Sequence, residues 1–220
     1  QKDFLLKKMP ELMGRVHIVP LGIDTAFFQL HTTPRQSYIL AAGRDNGRDY
    51  QTVLKVAALL PEQEFHIVCS PRNLSTESSI PPNVRVFYDV ALSEWNKKFE
   101  EAKLLLLITH PDTFGDGADC SGQIALLHAM AVGLPIVATH KAYLADYVTP
   151  NKEILVCPPH DADSVVRQMI RLEDATYRQA LVQAARERVE RSFSTHHMAE
   201  KLACIFTTLC QNSNETPVSR

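Results

Sequence analysis

The chain has 220 residues, of which 45% are hydrophobic and 22% are charged, with a formal net charge of −2. This length is enough for one large domain with its own core, and the lack of a basic excess argues against a nucleic-acid partner. The longest apolar run, residues 104–108, is too short to span a bilayer. Five cysteines without a Cys-x-x-Cys pair favour a reduced, cytoplasmic protein, and peripheral association with a membrane stays open.

Short apolar strands alternate with helical patterns along most of the chain. Strands are predicted at residues 16–19, 38–42, 65–69, 84–87, 104–108, 136–138 and 154–156. Helices are predicted at residues 49–60, 92–102, 122–132, 143–148, 161–172, 177–191 and 195–210. Such alternation predicts an α/β fold: a single Rossmann-like domain with a parallel sheet of about six strands and helices on both faces.

The two ends of the chain do not follow this alternation. Residues 1–14 are predicted to be a linker or the end of a preceding domain, and residues 15–211 the Rossmann-like domain. Residues 212–220 form a polar tail that we expect to be disordered. Ligands of parallel sheets bind at the carboxyl ends of the strands, which directs attention to residues 43–48, 109–122 and 139–143.

The helix that follows Ser121 has the features of an anion site. Ser121 can cap its first turn. Gly122 has no Cβ, so a ligand can approach the backbone closely at this position. The free N–H groups at a helix N-terminus and the helix dipole both favour phosphate. Gly133 ends this helix and Pro135 prevents it from continuing.

A second candidate binding element is the basic loop after the strand at residues 38–42. Arg44 and Arg48 lie close together behind Gly43, and two arginines in this arrangement can clamp a diphosphate bidentately. The alternative is a solvated turn with exposed charges. There is no Gly-x-Gly-x-x-Gly, no P-loop and no Gly-x-Ser-x-Gly, which argues against a dinucleotide site.

Residues 128–139, HAMAVGLPIVAT, resemble the EAMACGxPVVAT signature of the family 4 (group 1) GT-B glycosyltransferases. Residues 19–24 with Phe27 and Phe28 resemble the IPNGID…F segment of that family, and residues 42–50 resemble its GR…K loop. The similarity covers about residues 15–210. It implies the C-terminal, nucleotide-sugar-binding half of a GT-B enzyme, with an N-terminal GT-B domain as its partner.

The resemblance also implies a reaction. The donor would be a UDP-, GDP- or ADP-sugar, and the sugar would pass with retention to a carbohydrate or lipid-linked acceptor without a cofactor or a catalytic metal. Arg44 and Arg48 would stabilise the departing diphosphate. Gly43, Ser121, Gly122, Gln123 and Tyr143 would contact phosphate or sugar, and Trp95 would anchor its helix against the sheet.

Two positions depart from the family pattern. The family has two glutamates eight residues apart, where this chain has Cys120 and His128. His128 could hydrogen-bond the donor ribose or simply pack in the core. Because of these two differences, an alternative is a degenerate, non-catalytic GT-B module that acts as a partner subunit. A third possibility is a nucleotide-sugar epimerase.

An acidic loop precedes the helix at Ser121. Asp112, Asp116 and Asp119, with His110, could bind a metal ion, but their spacing matches no standard ligand motif. A solvated loop is the alternative, and no metal site is predicted from the sequence.

Overall fold

The structure, a computed structural model, describes residues 2–30, 38–74, 79–115 and 121–214. Six strands form the sheet: β1 (Ile39–Ala42), β2 (Phe65–Cys69), β3 (Val84–Tyr88), β4 (Leu104–Leu107), β5 (Ile136–Thr139) and β6 (Leu155–Cys157). The helices are α1 (Lys2–Lys8), α2 (Tyr50–Leu59), α3 (Leu92–Glu101), α4 (Gln123–Val132), α5 (Leu144–Tyr147), α6 (Ala162–Arg171), α7 (Ala175–Ser192) and α8 (Thr195–Asn214).

All neighbouring strands of the sheet are parallel, in the order β3-β2-β1-β4-β5-β6. The order reverses between β1 and β4, where Ile39 pairs with Leu104. This reversal is the topological switch point, where open α/β sheets leave a crevice at the carboxyl ends of the strands. The predicted α/β fold with a parallel sheet of six strands is therefore confirmed.

The sheet is covered on both faces, as its apolar strands require. β4 consists of four leucines, all buried, and they alternate between two core clusters. Leu105 and Leu107 pack on the face that carries α3, α4 and α7, whereas Leu104 and Leu106 pack on the face that carries α2 and α6. Burial on both faces explains why this strand is continuously hydrophobic in sequence.

Backbone hydrogen bonds join the loops that leave β1 and β4. Arg48 and Thr109 form an isolated antiparallel bridge in a sheet that is otherwise parallel. The Asp49 amide donates to Ile108 O over 3.1 Å, and the His110 amide donates to Gly47 O over 2.9 Å. These bonds fix the floor of the crevice at the switch point.

The predicted strand at residues 16–19 is wrong. These residues lie outside regular structure, and Ile18 is 64% exposed. An apolar run forms a strand only beside another strand, and no described strand pairs with this run. The chain joins the fold a few residues later: the Leu21 amide donates to the Tyr147 hydroxyl, and Ile23 bridges Ser194 and exchanges backbone hydrogen bonds with Phe193 and Thr195.

The chain ends also differ in detail from expectation. α1 and a short 3-10 helix, Pro10–Leu12, lie within the segment predicted as a linker. α8 continues to Asn214, three residues into the predicted tail, and residues 215–220 lie outside the described part. Among the described helices, none is both long and apolar enough to cross a bilayer.

Candidate functional site

A cavity of about 440 Å³ opens at the switch point between β1 and β4. It is lined by the β1–α2 loop, the first turn of α4, Leu21 and Trp95. Of the residues predicted from the sequence, it brings together Gly43, Arg44, Arg48, Ser121, Gly122 and Gln123. A larger cavity, of about 750 Å³, lies at the opposite edge of the sheet near the start of β4. The smaller cavity is the candidate site because ligands of this architecture bind at the carboxyl edge.

Asp45 is the centre of the polar network in this cavity. Its Oδ2 accepts a hydrogen bond from Arg48 Nε over 3.0 Å, and its Oδ1 accepts one from the hydroxyl of Ser121. Burial alone would raise the pKa of Asp45, but the charge of Arg48 and these hydrogen bonds lower it on balance. The charged carboxylate of Asp45 therefore lies between Arg48 and Ser121, the two residues that are predicted from the sequence to contact phosphate.

The Arg48 guanidinium is buried between two glycines. A Cβ on Gly43 would stand 2.2 Å from Arg48 Nε, and a Cβ on Gly122 would stand 3.4 Å from Arg48 Nη1. Gly122 also has a φ of +97°, and its Cβ would be 2.7 Å from Leu107 Cδ1. Glycine at position 43 is therefore needed for Arg48 to lie where it does, whereas position 122 requires glycine because of its φ and the contact with Leu107.

Arg44 occupies the mouth of the cavity. Its Nη2 donates to Val90 O over 2.8 Å, and its Nε lies 3.7 Å from Asp89 Oδ1. Both side chains of this ion pair are about half exposed, so it contributes little stability. Arg44 can leave these partners for an anion at low cost.

The first turn of α4 faces the cavity with Gly122, Gln123, Ile124 and Ala125. Gly122 is the N-cap, and no side chain caps this helix. The prediction that the Ser121 hydroxyl caps α4 is wrong, because that hydroxyl bonds Asp45 instead. The first amides of a helix have no partner within it, so this turn presents N–H groups and a positive dipole end to the cavity.

His128 lies below the cavity, in the core. Its ring is 2% exposed, is stacked on Phe99 at 4.2 Å and contacts Phe28 at 4.4 Å. Trp95 Nε1 donates to His128 Nδ1 over 3.2 Å, and burial lowers the pKa of His128 to about 4. The ring surroundings are those of a core histidine, although Nε2 is buried without a hydrogen-bond partner in the described structure. The role of His128 at the ribose stays a prediction.

Tyr143 supports the cavity from behind. Its hydroxyl donates to Ser121 O over 2.8 Å, and its side chain is buried. It thereby fixes the backbone that leads into α4. In this structure Tyr143 contacts the site through Ser121.

The acidic loop is only partly described. Asp116, Asp119 and Cys120 lie outside the described residues. Asp112 Oδ1 is 2.9 Å from the buried Nζ of Lys141, which also donates to His110 O. The His110 ring lies away from this pair, beside Asp49 and His160. Asp112 therefore acts here as the counter-charge of Lys141.

Five lining residues were not assigned to the site from the sequence: Leu21, Asp45, Trp95, Ile124 and Ala125. Asp45 stands in the basic loop, and its position between two arginines was the available signal. Trp95 was expected only to anchor its helix, whereas it both lines the cavity and bonds His128. Ile124 is 65% exposed, an unusual position for an apolar residue that starts a buried helix.

Comparison with known proteins agrees with this architecture. The chain is 29% identical over 113 residues to WcaL of Escherichia coli K12, which is named as a colanic acid biosynthesis glycosyltransferase; the match covers 50% of this chain and 27% of WcaL. The sucrose-phosphate synthase of Thermosynechococcus elongatus superposes with a TM-score of 0.71 at 19% identity, over 89% of this chain and 53% of the synthase. HepE of Anabaena, solved with UDP and glucose, gives 0.66 at 13% identity, over 85% and 55%.

These two structures share the fold, and the chain spans about a quarter of the length of WcaL and about half of each of the two solved chains. The decisive match is to a family model described as Glycosyl transferases group 1, which covers residues 36–174 and so includes both the basic loop and α4. The chain belongs to the group 1 glycosyl transferases.

Proposed function

We propose that this chain binds a nucleoside-diphosphate sugar, with UDP, GDP or ADP as the nucleotide, and forms the donor half of a retaining glycosyltransferase. The acceptor in this proposal is a carbohydrate or a lipid-linked sugar. The observation that carries the proposal is the convergence of Arg48, Ser121 and the first turn of α4 on one cavity. Such a set of cations and amide donors suits a diphosphate.

The cavity already holds an internal anion where the diphosphate would bind. The Asp45 carboxylate accepts from both Arg48 and Ser121. A bound diphosphate would replace Asp45 as the acceptor for these two donors. Arg44 would exchange its hydrogen bond to Val90 O for one to the outer phosphate. The positive charges then face the oxygen that gains negative charge as the glycosidic bond to the leaving group breaks, which lowers the barrier.

The apolar part of the cavity suits the rest of the donor. Trp95 and Leu21 line it, and Ile124 presents an exposed aliphatic side chain at its edge. We assign to Trp95 the contact with the base or the ribose of the donor. The indole Nε1 of Trp95 donates a hydrogen bond to His128, which fixes the orientation of the ring. His128 is then a positioning residue, and its effect on the donor passes through Trp95.

The first test is thermal unfolding of the 220-residue chain with UDP, GDP or ADP, starting with UDP because HepE was solved with it. A ligand at about 100 times its Kd stabilises the folded state by about 2.7 kcal/mol, or roughly 5–10 °C for a domain of this size. A shift with one nucleotide identifies the donor, whereas no shift with any of the three contradicts the proposal for this chain.

Variants then assign the contacts. Arg44→Ala and Arg48→Ala should each abolish the nucleotide-induced shift, and in the full-length enzyme Arg44→Ala should lower turnover by several orders of magnitude. The matched control is Arg85→Ala, because Arg85 is an exposed arginine on the outer strand β3 that pairs with Glu64. A shift that survives Arg44→Ala and Arg48→Ala would remove both residues from the site.

A further inference from the structure

Three potential metal ligands meet at the carboxyl edge of the sheet, and none of them lines the donor cavity. Asp49 starts α2, His110 follows β4, and His160 lies between β6 and α6. One ligand atom of each lies within 4.8 Å of the other two. The three come from distant parts of the sequence, so only the fold brings them together.

Asp49 is a buried carboxylate at the N-terminus of α2. It is 2% exposed and caps α2 by accepting from the Thr52 amide and hydroxyl. The ring of His160 also contacts this carboxylate, with Nδ1 2.8 Å from Asp49 Oδ2.

His110 supplies an independent indication of a ligand. Its Nδ1 is buried and has no hydrogen-bond partner in the described structure, although its ring is fixed by stacking on Phe114 at 4.1 Å. A buried polar atom without a partner costs free energy, and native proteins rarely leave one.

We propose that Asp49, His110 and His160 form a binding site for a divalent transition-metal ion, with Zn²⁺ as the best match. Two imidazoles and one carboxylate are a ligand set typical of zinc, and three protein ligands leave the fourth tetrahedral position to water or another small ligand. A hard ion such as Mg²⁺ or Ca²⁺ would prefer oxygen ligands throughout.

Binding requires a small rearrangement. Ligand atoms around a tetrahedral zinc lie roughly 3.3 Å apart, since each is about 2.0–2.1 Å from the ion. The present spread of up to 4.8 Å must therefore contract. His160 is the side chain suited to move because it is about half exposed. Its hydrogen bond to Asp49 is replaced by a bond to the metal, and its remaining proton resides on the other ring nitrogen.

The bound ion would have a structural effect. It would connect the loops that follow β1, β4 and β6, and thus both sides of the switch point. Asp49 is the residue after Arg48, so the ion would also fix the backbone that carries the proposed diphosphate ligand. The proposal does not depend on nucleotide binding and can be tested without any nucleotide.

The test is titration of the chain with Co²⁺ and Zn²⁺, followed by equilibrium dialysis and thermal unfolding. We expect one equivalent of metal, the intense visible absorption of tetrahedral Co²⁺, its displacement by Zn²⁺, and an increase of several degrees in Tm. The key variant is His160→Asn, because His160 has a φ of +59°, which asparagine tolerates well. It should weaken metal binding at least tenfold without lowering the Tm of the metal-free protein.

A matched control and a second variant complete the design. His196→Asn removes an exposed histidine that pairs with Glu200 on α8, and should leave the titration unchanged. His110→Asn should abolish the visible absorption. Binding that persists in His160→Asn and His110→Asn, the lack of a stoichiometric tetrahedral spectrum, or a thiolate charge-transfer band from cysteine ligands would each overturn the proposal.

Discussion

The guanidinium of Arg48 lies across the backbone of Gly43, so close that a Cβ on Gly43 would stand 2.2 Å from Arg48 Nε. The group in the way is the end of a flexible side chain, so Gly43→Ala should displace Arg48 rather than disrupt β1. We expect nucleotide affinity to fall at least tenfold while the unfolding free energy changes by less than about 1 kcal/mol. Isothermal titration and urea unfolding measure the two quantities.

The control for this substitution is Gly115→Ala, because a Cβ on Gly115 meets no atom within 4 Å. It should bind nucleotide as the wild type does. If Gly43→Ala binds nucleotide normally, Arg48 does not need its present position to hold the diphosphate.

Asp45 should compete with the diphosphate for Arg48 and Ser121. Asp45→Asn keeps the shape of the side chain and removes its charge, so we expect nucleoside diphosphates to bind about tenfold more tightly. Arg48 is buried and the Asp45 side of the ion pair is partly exposed, so the loss of stability should be about 1–3 kcal/mol. Weaker binding in Asp45→Asn would show instead that the carboxylate organises the donors.

The comparison for Asp45→Asn is Asp89→Asn, which removes the exposed counter-charge of Arg44. Asp89 has a φ of +47°, a conformation that asparagine also adopts readily. Its effect on stability should be within about 0.5 kcal/mol, since exposed ion pairs contribute little.

His128 should make the stability of the fold depend on pH. Burial lowers its pKa to about 4 in the folded state, against 6.5 in the unfolded chain. Between these values the unfolded state binds more protons, so stability falls as pH falls through this window. From pH 7 to pH 5 the loss from this residue is about 2 kcal/mol.

Urea unfolding at both pH values measures this dependence. His128→Gln keeps an acceptor for the Trp95 indole and should remove this part of the pH dependence. His66 and His110, whose pKa values are also lowered by burial, contribute in the same direction. The informative quantity is therefore the difference between the wild type and the variant. Equal slopes for the two proteins would contradict the burial of a neutral His128.

Arg186 should be essential for stability, because it joins α7 to the segment before β1 and to the end of α4. Its guanidinium donates to Phe28 O, Thr25 O and Ala131 O, and it is 8% exposed. Arg186→Ala leaves these carbonyl groups without their donor and should cost about 2–4 kcal/mol. Urea unfolding measures the cost, and a loss below 1 kcal/mol would contradict this role. Arg191→Ala, an exposed change on the same helix, is the control.

The sequence predicts the sheet well because its signals are local. Each of β1–β6 corresponds to a short, mainly apolar run bounded by turn residues, and each of these runs forms a strand in the structure. The run at residues 16–19 has the same pattern but no strand beside it, and pairing is not a local property. Likewise Asp161 caps α6 at the start of the predicted helix, since a cap involves only neighbouring residues.

The site was predicted less completely, because its chemistry depends on contacts between distant residues. The sequence predicts Arg48 and the start of α4 as phosphate ligands, and this stays a prediction; Asp45 lies 76 residues from Ser121, and only the fold reveals their bond. The choice between ribose and core for His128 depended on Phe28, Phe99 and Trp95, which come from two other segments. The meeting of Asp49, His110 and His160 was undetectable for the same reason.

The bonds between the loops after β1 and β4 have a consequence for amide hydrogen exchange. Loops at a ligand-binding edge usually exchange quickly through local opening. Here the amides of Asp49 and His110 are bonded to Ile108 O and Gly47 O, beside the buried strand β4. Their protection should match that of the central strands, so that they exchange only when the whole domain unfolds.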